Sequence, residues 1–369
     1  MGAVDRIVAR ALSAPRALSR ADLAALVSLE DEAEIEKARN AAYALKTRYC
    51  GRTVSMRGLV ELGNVCAKDC LYCGIRKSNS AVERYSLSLG EVVELARRNI
   101  EMDYASLVIQ SGEVEGEAHT AFIERCLREI QALPGAPLGI TLSLGEQEES
   151  AYRRWKAAGA SRYLLRIETS NRELYAALHP ADHSWERRDR CISVLRALGY
   201  QTGTGVMSGL PGQTADDLAA DIEYFAAKDV DMIGMGPFMP HRDTPLGKDA
   251  SPSPEFRARQ LRTGLNMISA ARLHLHNVNI ASTTVLQTLA KDGRERGILA
   301  GANVMMPNIT DVKWRRAYTL YEDKPCLDEN AQCCRACLER RLAAIGETVN
   351  YGKRGDSPHF AARIAQSRG

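Results

Sequence analysis

"TVSMRGLVELGNVCAKDCLYCGIRKSN", residues 53–79, begins as an apolar, β-favouring run and turns after Gly63 and Asn64 into a loop carrying three cysteines. The first part reads as a β-strand closed by a Gly-Asn signal. The second places Cys66, Cys70 and Cys73 within eight positions, with Tyr72 immediately before the third. A strand that delivers a cysteine loop at its end points to a parallel α/β protein whose chemistry gathers at that end of the sheet.

Working outward, the same rhythm repeats. Strand patterns "ASLVIQSG", "LGITLSLG", "RYLLRIET", "TGTGVMSG", "MIGMGPFM", "VNIASTT" and "NVMMPN" alternate with helix patterns such as "LGEVVELARRNIEM", "AYRRWKAAG", "CISVLRALG" and "ADDLAADIEYFAAK". Strand–helix alternation implies βαβ units. Eight strand candidates fit one (β/α)8 TIM-type barrel better than two open sheets. The expected organisation is a helical lead-in at 1–50, a barrel at 51–312 and a C-terminal extension with a helical cap at 313–369. Several strand patterns end in Gly, Glu, Asn or Pro, at the end where a barrel keeps its active site. "GKDASPSPEF" reads as a surface loop, and "GLPGQT" as a turn in which Thr214 caps the next helix.

The chain of 369 residues is 45% hydrophobic and 26% charged, the composition of a globular protein with a large core. A net charge of +3 and the lack of long like-charge runs argue against nucleic acid as a partner. No apolar run approaches the roughly 18 residues of a membrane span. The arginine-rich start resembles a transit peptide in composition, but Asp5 and Asp22 interrupt it, and "SRAD" (Ser19 to Asp22) reads as a capping box opening a folded helix. A cytoplasmic location is expected.

The ten cysteines are unevenly spread. Cys50, Cys126 and Cys191 stand alone in helix patterns and read as packing residues. Cys66, Cys70 and Cys73 form one cluster, and Cys326, Cys333, Cys334 and Cys337 the other. A Cys-x3-Cys-x2-Cys loop is a poor structural zinc site, since zinc wants four ligands and no fourth lies nearby. An iron–sulfur cubane suits it better, because three thiolates for four irons leave one iron open to a chelating small molecule.

With Tyr72 before the last cysteine, this loop resembles that of the radical S-adenosylmethionine (SAM) enzymes. The resemblance implies a [4Fe-4S] cluster whose open iron binds SAM and whose electron generates a 5′-deoxyadenosyl radical. The motifs "NVCAKDCLYCGIRKSN", "VIQSGE", "TLSLGE", "RYLLRIETSN", "GLPGQT", "GPFMPHRDTPLG" and "GANVMMPNIT" follow in order over residues 50–350. Together they resemble the HydE family of [FeFe]-hydrogenase maturases, within the biotin synthase-like branch. That resemblance implies a cysteine-bound iron substrate carrying carbon monoxide and cyanide, partner maturases and an electron donor.

It also assigns residues. Glu168 would receive the SAM ammonium and Arg188 its carboxylate, with Tyr72, Gln110, Ser111 and Met232 around the cofactor. Arg166, Thr141 and Tyr318 would face the substrate. Each has a plainer reading. Arg166 and Glu168, alternate residues of one strand pattern, could simply pair with each other. Arg188 sits among Arg187 and Arg190 as on a solvated helix face. Polar strand ends often cap helices, and methionines fill cores. Tyr318 could be a buried ring with a bonded hydroxyl, and His241 a structural histidine. Cys326, Cys334 and Cys337 match the spacing of a second iron–sulfur site, [2Fe-2S] or [4Fe-4S], present in some family members, with zinc as competitor. The alternatives are a biotin synthase-like or methylornithine synthase-like enzyme with an organic substrate, and a non-catalytic iron–sulfur carrier.

Overall fold

The computed structural model describes residues 2–328 and 331–366. Its strands are β1 (Thr53–Met56), β2 (Gly58–Gly63), β3 (Ser106–Ser111), β4 (Gly139–Ser143), β5 (Ala160–Leu164), β6 (Gln201–Thr204), β7 (Met207–Ser208), β8 (Met232–Ile233), β9 (Gly236–Pro237), β10 (Asn279–Ile280), β11 (Val304–Met305) and β12 (Thr348–Val349). Seven form one parallel sheet in the order β10-β8-β6-β5-β4-β3-β2.

β11 closes that sheet on itself. On one side the Asn303 N–H donates to Ile280 O and the Ser282 N–H to Val304 O, both at 2.9 Å. On the other, the Leu59 N–H donates to Pro307 O at 2.8 Å and the Ile309 N–H to Leu59 O at 2.9 Å. The chain is a closed parallel (β/α)8 barrel, and closure pairs the two outer strands of the seven-stranded sheet, β10 and β2, through β11 and the residues that follow it. β1 and β2 keep one register against β11 (Ser55 opposite Val304, Leu59 opposite Asn308), so "TVSMRGLVEL" behaves as one long strand.

Five strand patterns are markedly shorter than expected. "TGTGVMSG" and "MIGMGPFM" each divide in two, "RYLLRIET" ends at Leu164, and "VNIASTT" and "NVMMPN" keep two strand residues each. Beyond Leu164, the Ile167 N–H donates to the Thr204 hydroxyl at 3.1 Å, where a regular ladder would offer a carbonyl. A side chain that substitutes for the backbone interrupts the strand. The ladder resumes at Glu168, whose N–H donates to Gly205 O at 3.0 Å, so Arg166 and Glu168 straddle an irregularity rather than sharing one regular strand face, and Glu168 has the left-handed φ of 68°.

The helices follow their sequence signals. Ser19 with Asp22 caps Arg20–Val27, Ser88 with Glu91 caps Leu89–Glu101, and Thr214 with Asp217 caps Ala215–Ala227. The first three helices, Ala3–Ser13, Arg20–Val27 and Glu32–Cys50, pack against Ala215–Ala227 and Pro254–Leu275 on one flank of the barrel. Cys126 and Cys191 are buried in helices, as packing residues should be, while Cys50 ends its helix half-buried. No helix among the described residues is long and apolar enough to cross a membrane.

The C-terminal segment seals the barrel floor. β12 pairs with β1, and the following turn lies under the strand starts. Carbonyls of that turn are bonded from above by barrel residues: Ser106 Oγ and Arg162 Nη2 each donate to Arg354 O at 2.6 Å, and Asn279 Nδ2 to Gly355 O at 3.0 Å. Gly355 has φ 59°, and a Cβ there would stand 2.5 Å from Ser55 Oγ, so only glycine fits.

Candidate active site

The cysteine loop lies over the C-terminal ends of β2 and β3, held from several sides. Cys66 Sγ accepts the N–H of Lys68 at 3.4 Å and of Glu113 at 3.3 Å. The Ala67 N–H donates to Glu113 O at 2.8 Å, Leu71 N–H to Leu178 O at 2.9 Å, and Gly74 N–H to Leu320 O at 3.0 Å. Gly112 makes this contact sterically possible, because a Cβ there would sit 2.3 Å from Val65 O. The Arg84 guanidinium donates to the carbonyls of Asn64, Ile75 and Arg76 at 2.6–2.8 Å and gathers the loop around itself.

The three thiols share one environment. Burial pushes Cys70 up to about 12, with Arg188 opposing and Cys66 reinforcing the shift. Burial likewise raises Cys73, and the neighbouring Cys70 and Cys66 add to it. Without metal these thiols stay protonated, unlike a nucleophile activated by a base; bound iron would remove the protons outright. Among the described residues no three His, Cys, Asp or Glu side chains converge on one point as a single ion requires. A cubane instead takes each thiolate on a separate iron, so the donor set fits a cluster.

Beside the loop stands a buried charge cluster. Arg188 is only 6% exposed, so the solvated helix face is ruled out. Its Nε donates to Glu146 Oε1 at 2.7 Å, and its Nη2 lies 3.4 Å from Glu113 Oε2. Lys68 Nζ bridges the same carboxylates at 3.2 and 3.3 Å. Burial opposes the Arg188 charge, but Tyr175, Glu113 and Glu146 outweigh it and hold the guanidinium protonated. Burial raises Glu113, while Arg188 and Lys68 overcome burial at Glu146 and lower it, so Glu146 is the firm anion of the group.

Arg166 and Glu168 form an ion pair at 2.9 Å, the plainer of the two arrangements their spacing allowed. Thr141 is 2% exposed and its Oγ1 has no partner. It lines a cavity with Met232, Arg57 and Leu164. Met232 Sδ accepts from Arg57 Nη1 at 3.1 Å, fixing it against the lumen wall. Gln110 Nε2 donates to Tyr318 Oη at 3.1 Å, whereas Ser111 Oγ turns back to Gly112 O at 2.6 Å. His241 is buried, and its Nδ1 accepts the Asp243 N–H at 3.2 Å, a structural role.

A family model described as the radical SAM superfamily matches residues 60–225, from β2 into the helix Ala215–Ala227. The [FeFe] hydrogenase maturase subunit HydE of Thermotoga maritima is 39% identical over 331 residues, covering 90% of this chain and 92% of that one. The chain belongs to the HydE family. The 3-methylornithine synthase of Methanosarcina acetivorans is 26% identical over 290 residues, 78% of this chain and 79% of its own. A crystal structure of methylornithine synthase (PylB) shares the fold with a TM-score of 0.79 at 21% identity, over 97% of this chain and 99% of that one. As a HydE-family chain the protein is a radical SAM enzyme, and that superfamily implies a [4Fe-4S] cluster and SAM.

Two acidic residues of this HydE-family site, Glu113 and Glu146, were not singled out from sequence. Both stand after a glycine at the ends of adjacent strands ("QSGE" and "LGE"), and that parallel placement was the available signal. In the second cysteine set, Cys326 and Cys337 are partly buried, whereas the side chains of Cys333 and Cys334 lie outside the described residues.

Proposed function

We propose that this chain performs a SAM-dependent radical step in [FeFe]-hydrogenase maturation, on a cysteine-bound iron precursor carrying carbon monoxide and cyanide. Cys66, Cys70 and Cys73 hold the [4Fe-4S] cluster, and Tyr72, Gln110, Ser111 and Met232 surround SAM. When bound, the cluster supplies the electron that splits SAM to a 5′-deoxyadenosyl radical. The observation that carries the reading is the position of Arg188 and Glu168 beside the cysteine loop, each already paired to an opposite charge.

SAM brings a carboxylate and an ammonium together. Arg188 would exchange Glu113 for that carboxylate, and Glu168 would exchange Arg166 for that ammonium. Each exchange swaps one ion pair for another, so little uncompensated charge is buried. The displaced Arg166 would then offer its donors to the anionic substrate, with Thr141 Oγ1 in the lumen and Tyr318 held by Gln110. Lumen walls of Leu164, Val108 and Met306 keep water from the radical. Cys326, Cys334 and Cys337 are read as ligands of a second iron–sulfur cluster, and partner maturases and an electron donor complete the setting.

The test is 5′-deoxyadenosine formation by anaerobically reconstituted protein with SAM and strong reductant, with and without the iron carbonyl cyanide complex. Cleavage stimulated by the complex and abolished in Cys70→Ala is the expected result. Cleavage indifferent to the complex returns the organic-substrate enzymes to first place. An intact cluster with no cleavage leaves an iron–sulfur carrier.

A further inference from the structure

Between Glu168 and Arg188 the chain makes a single crossover: the helix Arg172–Leu178, a turn over residues 179–184, and the start of the helix Trp185–Ala197. This crossover grips the cysteine loop at three neighbouring residues. The Leu71 N–H donates to Leu178 O at 2.9 Å, the Asp69 N–H donates to His183 Nε2 at 3.0 Å, and Tyr72 Oη lies 3.3 Å from His179 Nε2. Each imidazole is fixed in one tautomer by its other nitrogen. His179 Nδ1 is 2.8 Å from Tyr175 O, and His183 Nδ1 is 2.8 Å from Asp182 Oδ1. Those oxygens accept, so each Nδ1 carries the hydrogen and each Nε2 is left to accept from the cysteine loop.

The rings are also packed in place. His179 stacks on Tyr175 with centroids 3.9 Å apart, and the Arg188 guanidinium stands 6.0 Å from the Tyr175 ring. His183 is 8% exposed, and the next residue, Ser184, caps the helix that presents Arg188.

We propose that His183 is a positioning residue that ties the backbone of the cysteine loop to the crossover bearing Glu168 and Arg188, holding cluster and SAM in one register. This rests on the assignment of the three cysteines to the cluster and of Arg188 to SAM. His183 itself touches neither group. It works through the Asp69 amide, one residue before Cys70, and through Ser184, four residues before Arg188. Residues that orient metal ligands from behind typically change affinity or activity by roughly 10–100-fold when replaced.

The experiment measures, on reconstituted protein, cluster content, SAM affinity and the SAM-induced change in the electron paramagnetic resonance spectrum of the reduced cluster. In His183→Ala, SAM affinity is expected to fall roughly tenfold or more, with the spectral change diminished. His183→Gln, whose amide oxygen can accept the Asp69 N–H, should recover most of both. Asp182→Ala provides a variant that does not threaten folding, since that side chain is 83% exposed. By releasing the His183 tautomer it should weaken SAM binding in the same direction, but less. A merely structural histidine would lower thermal stability and leave the SAM affinity and spectrum of the folded fraction unchanged. If His183→Ala and Asp182→Ala both match a wild type that binds cluster and SAM, this proposal alone is overturned. A wild type that holds no cluster overturns it together with the reading beneath it.

Discussion

At the barrel mouth, Arg188 is met by the carboxylates of Glu146 and Glu113. At the floor, Arg162 donates to Gly139 O at 2.9 Å and Arg354 O at 2.6 Å, and is joined by the single carboxylate of Asp356. Among the described residues, the neighbouring Arg57 has only Gly355 O and Met232 Sδ as hydrogen-bond partners. The electrostatic outcomes are opposite. Arg188 is held more firmly protonated than usual, whereas burial lowers Arg162, and burial together with the nearby Arg162 charge lowers Arg57 well below its ordinary value. Side-chain carboxylates can be exchanged for those of a ligand, and backbone carbonyls cannot. On the proposed reading the mouth exchanges charges, whereas the floor is closed by its own backbone.

A direct test of this contrast is at the floor. Arg162→Ala leaves Gly139 O and Arg354 O without this donor and should cost about 3 kcal/mol in chemical denaturation. SAM affinity of the folded variant should be unchanged. A parallel loss of SAM affinity would break the separation of the two ends.

Asp221 sharpens the picture at the mouth. Its Oδ1 accepts the Ser170 N–H at 2.6 Å and the Ser170 hydroxyl at 2.7 Å, just beyond Glu168. Burial raises this carboxyl to about 7, against the hydrogen bonds from Ser170. The folded protein therefore keeps a proton that the unfolded chain releases above about pH 4. Stability relative to Asp221→Asn should fall as pH rises from about 4 to 7, by at most about 1.4 kcal/mol per pH unit, then level off. Paired urea titrations across that range test it, and a flat difference would mean the carboxyl ionises normally.

The smallest expected effect is Arg188→Lys. The charge survives, but the fork that reaches Glu146 and a ligand carboxylate together is lost. SAM affinity should drop roughly tenfold, the worth of one charge-assisted hydrogen bond, with the cluster retained. Equilibrium binding of SAM measures it, and an unchanged affinity would take the carboxylate away from Arg188.

Much of this molecule was legible beforehand because the signals were local. The eight strand patterns, the Ser19 and Thr214 caps and the cysteine triplet each depend on spacing within one short segment. Arg188 shows the limit. Its neighbours Arg187 and Arg190 made it look solvated, and only the approach of β3 and β4 brings Glu113 and Glu146 around it. Likewise "RYLLRIET" carries nothing to announce that the Thr204 hydroxyl would end the strand and leave Glu168 at a φ of 68°.

The sequence by itself determined the barrel, its polarity and the thiol chemistry at its mouth, because periodicity and ligand spacing are properties of contiguous residues. The tertiary structure alone decided which charges meet and which stay unpaired, from the Lys68–Glu113–Glu146–Arg188 cluster to the carbonyl-lined floor. Those pairings join residues tens to hundreds of positions apart, and their strength depends on burial that no single segment creates.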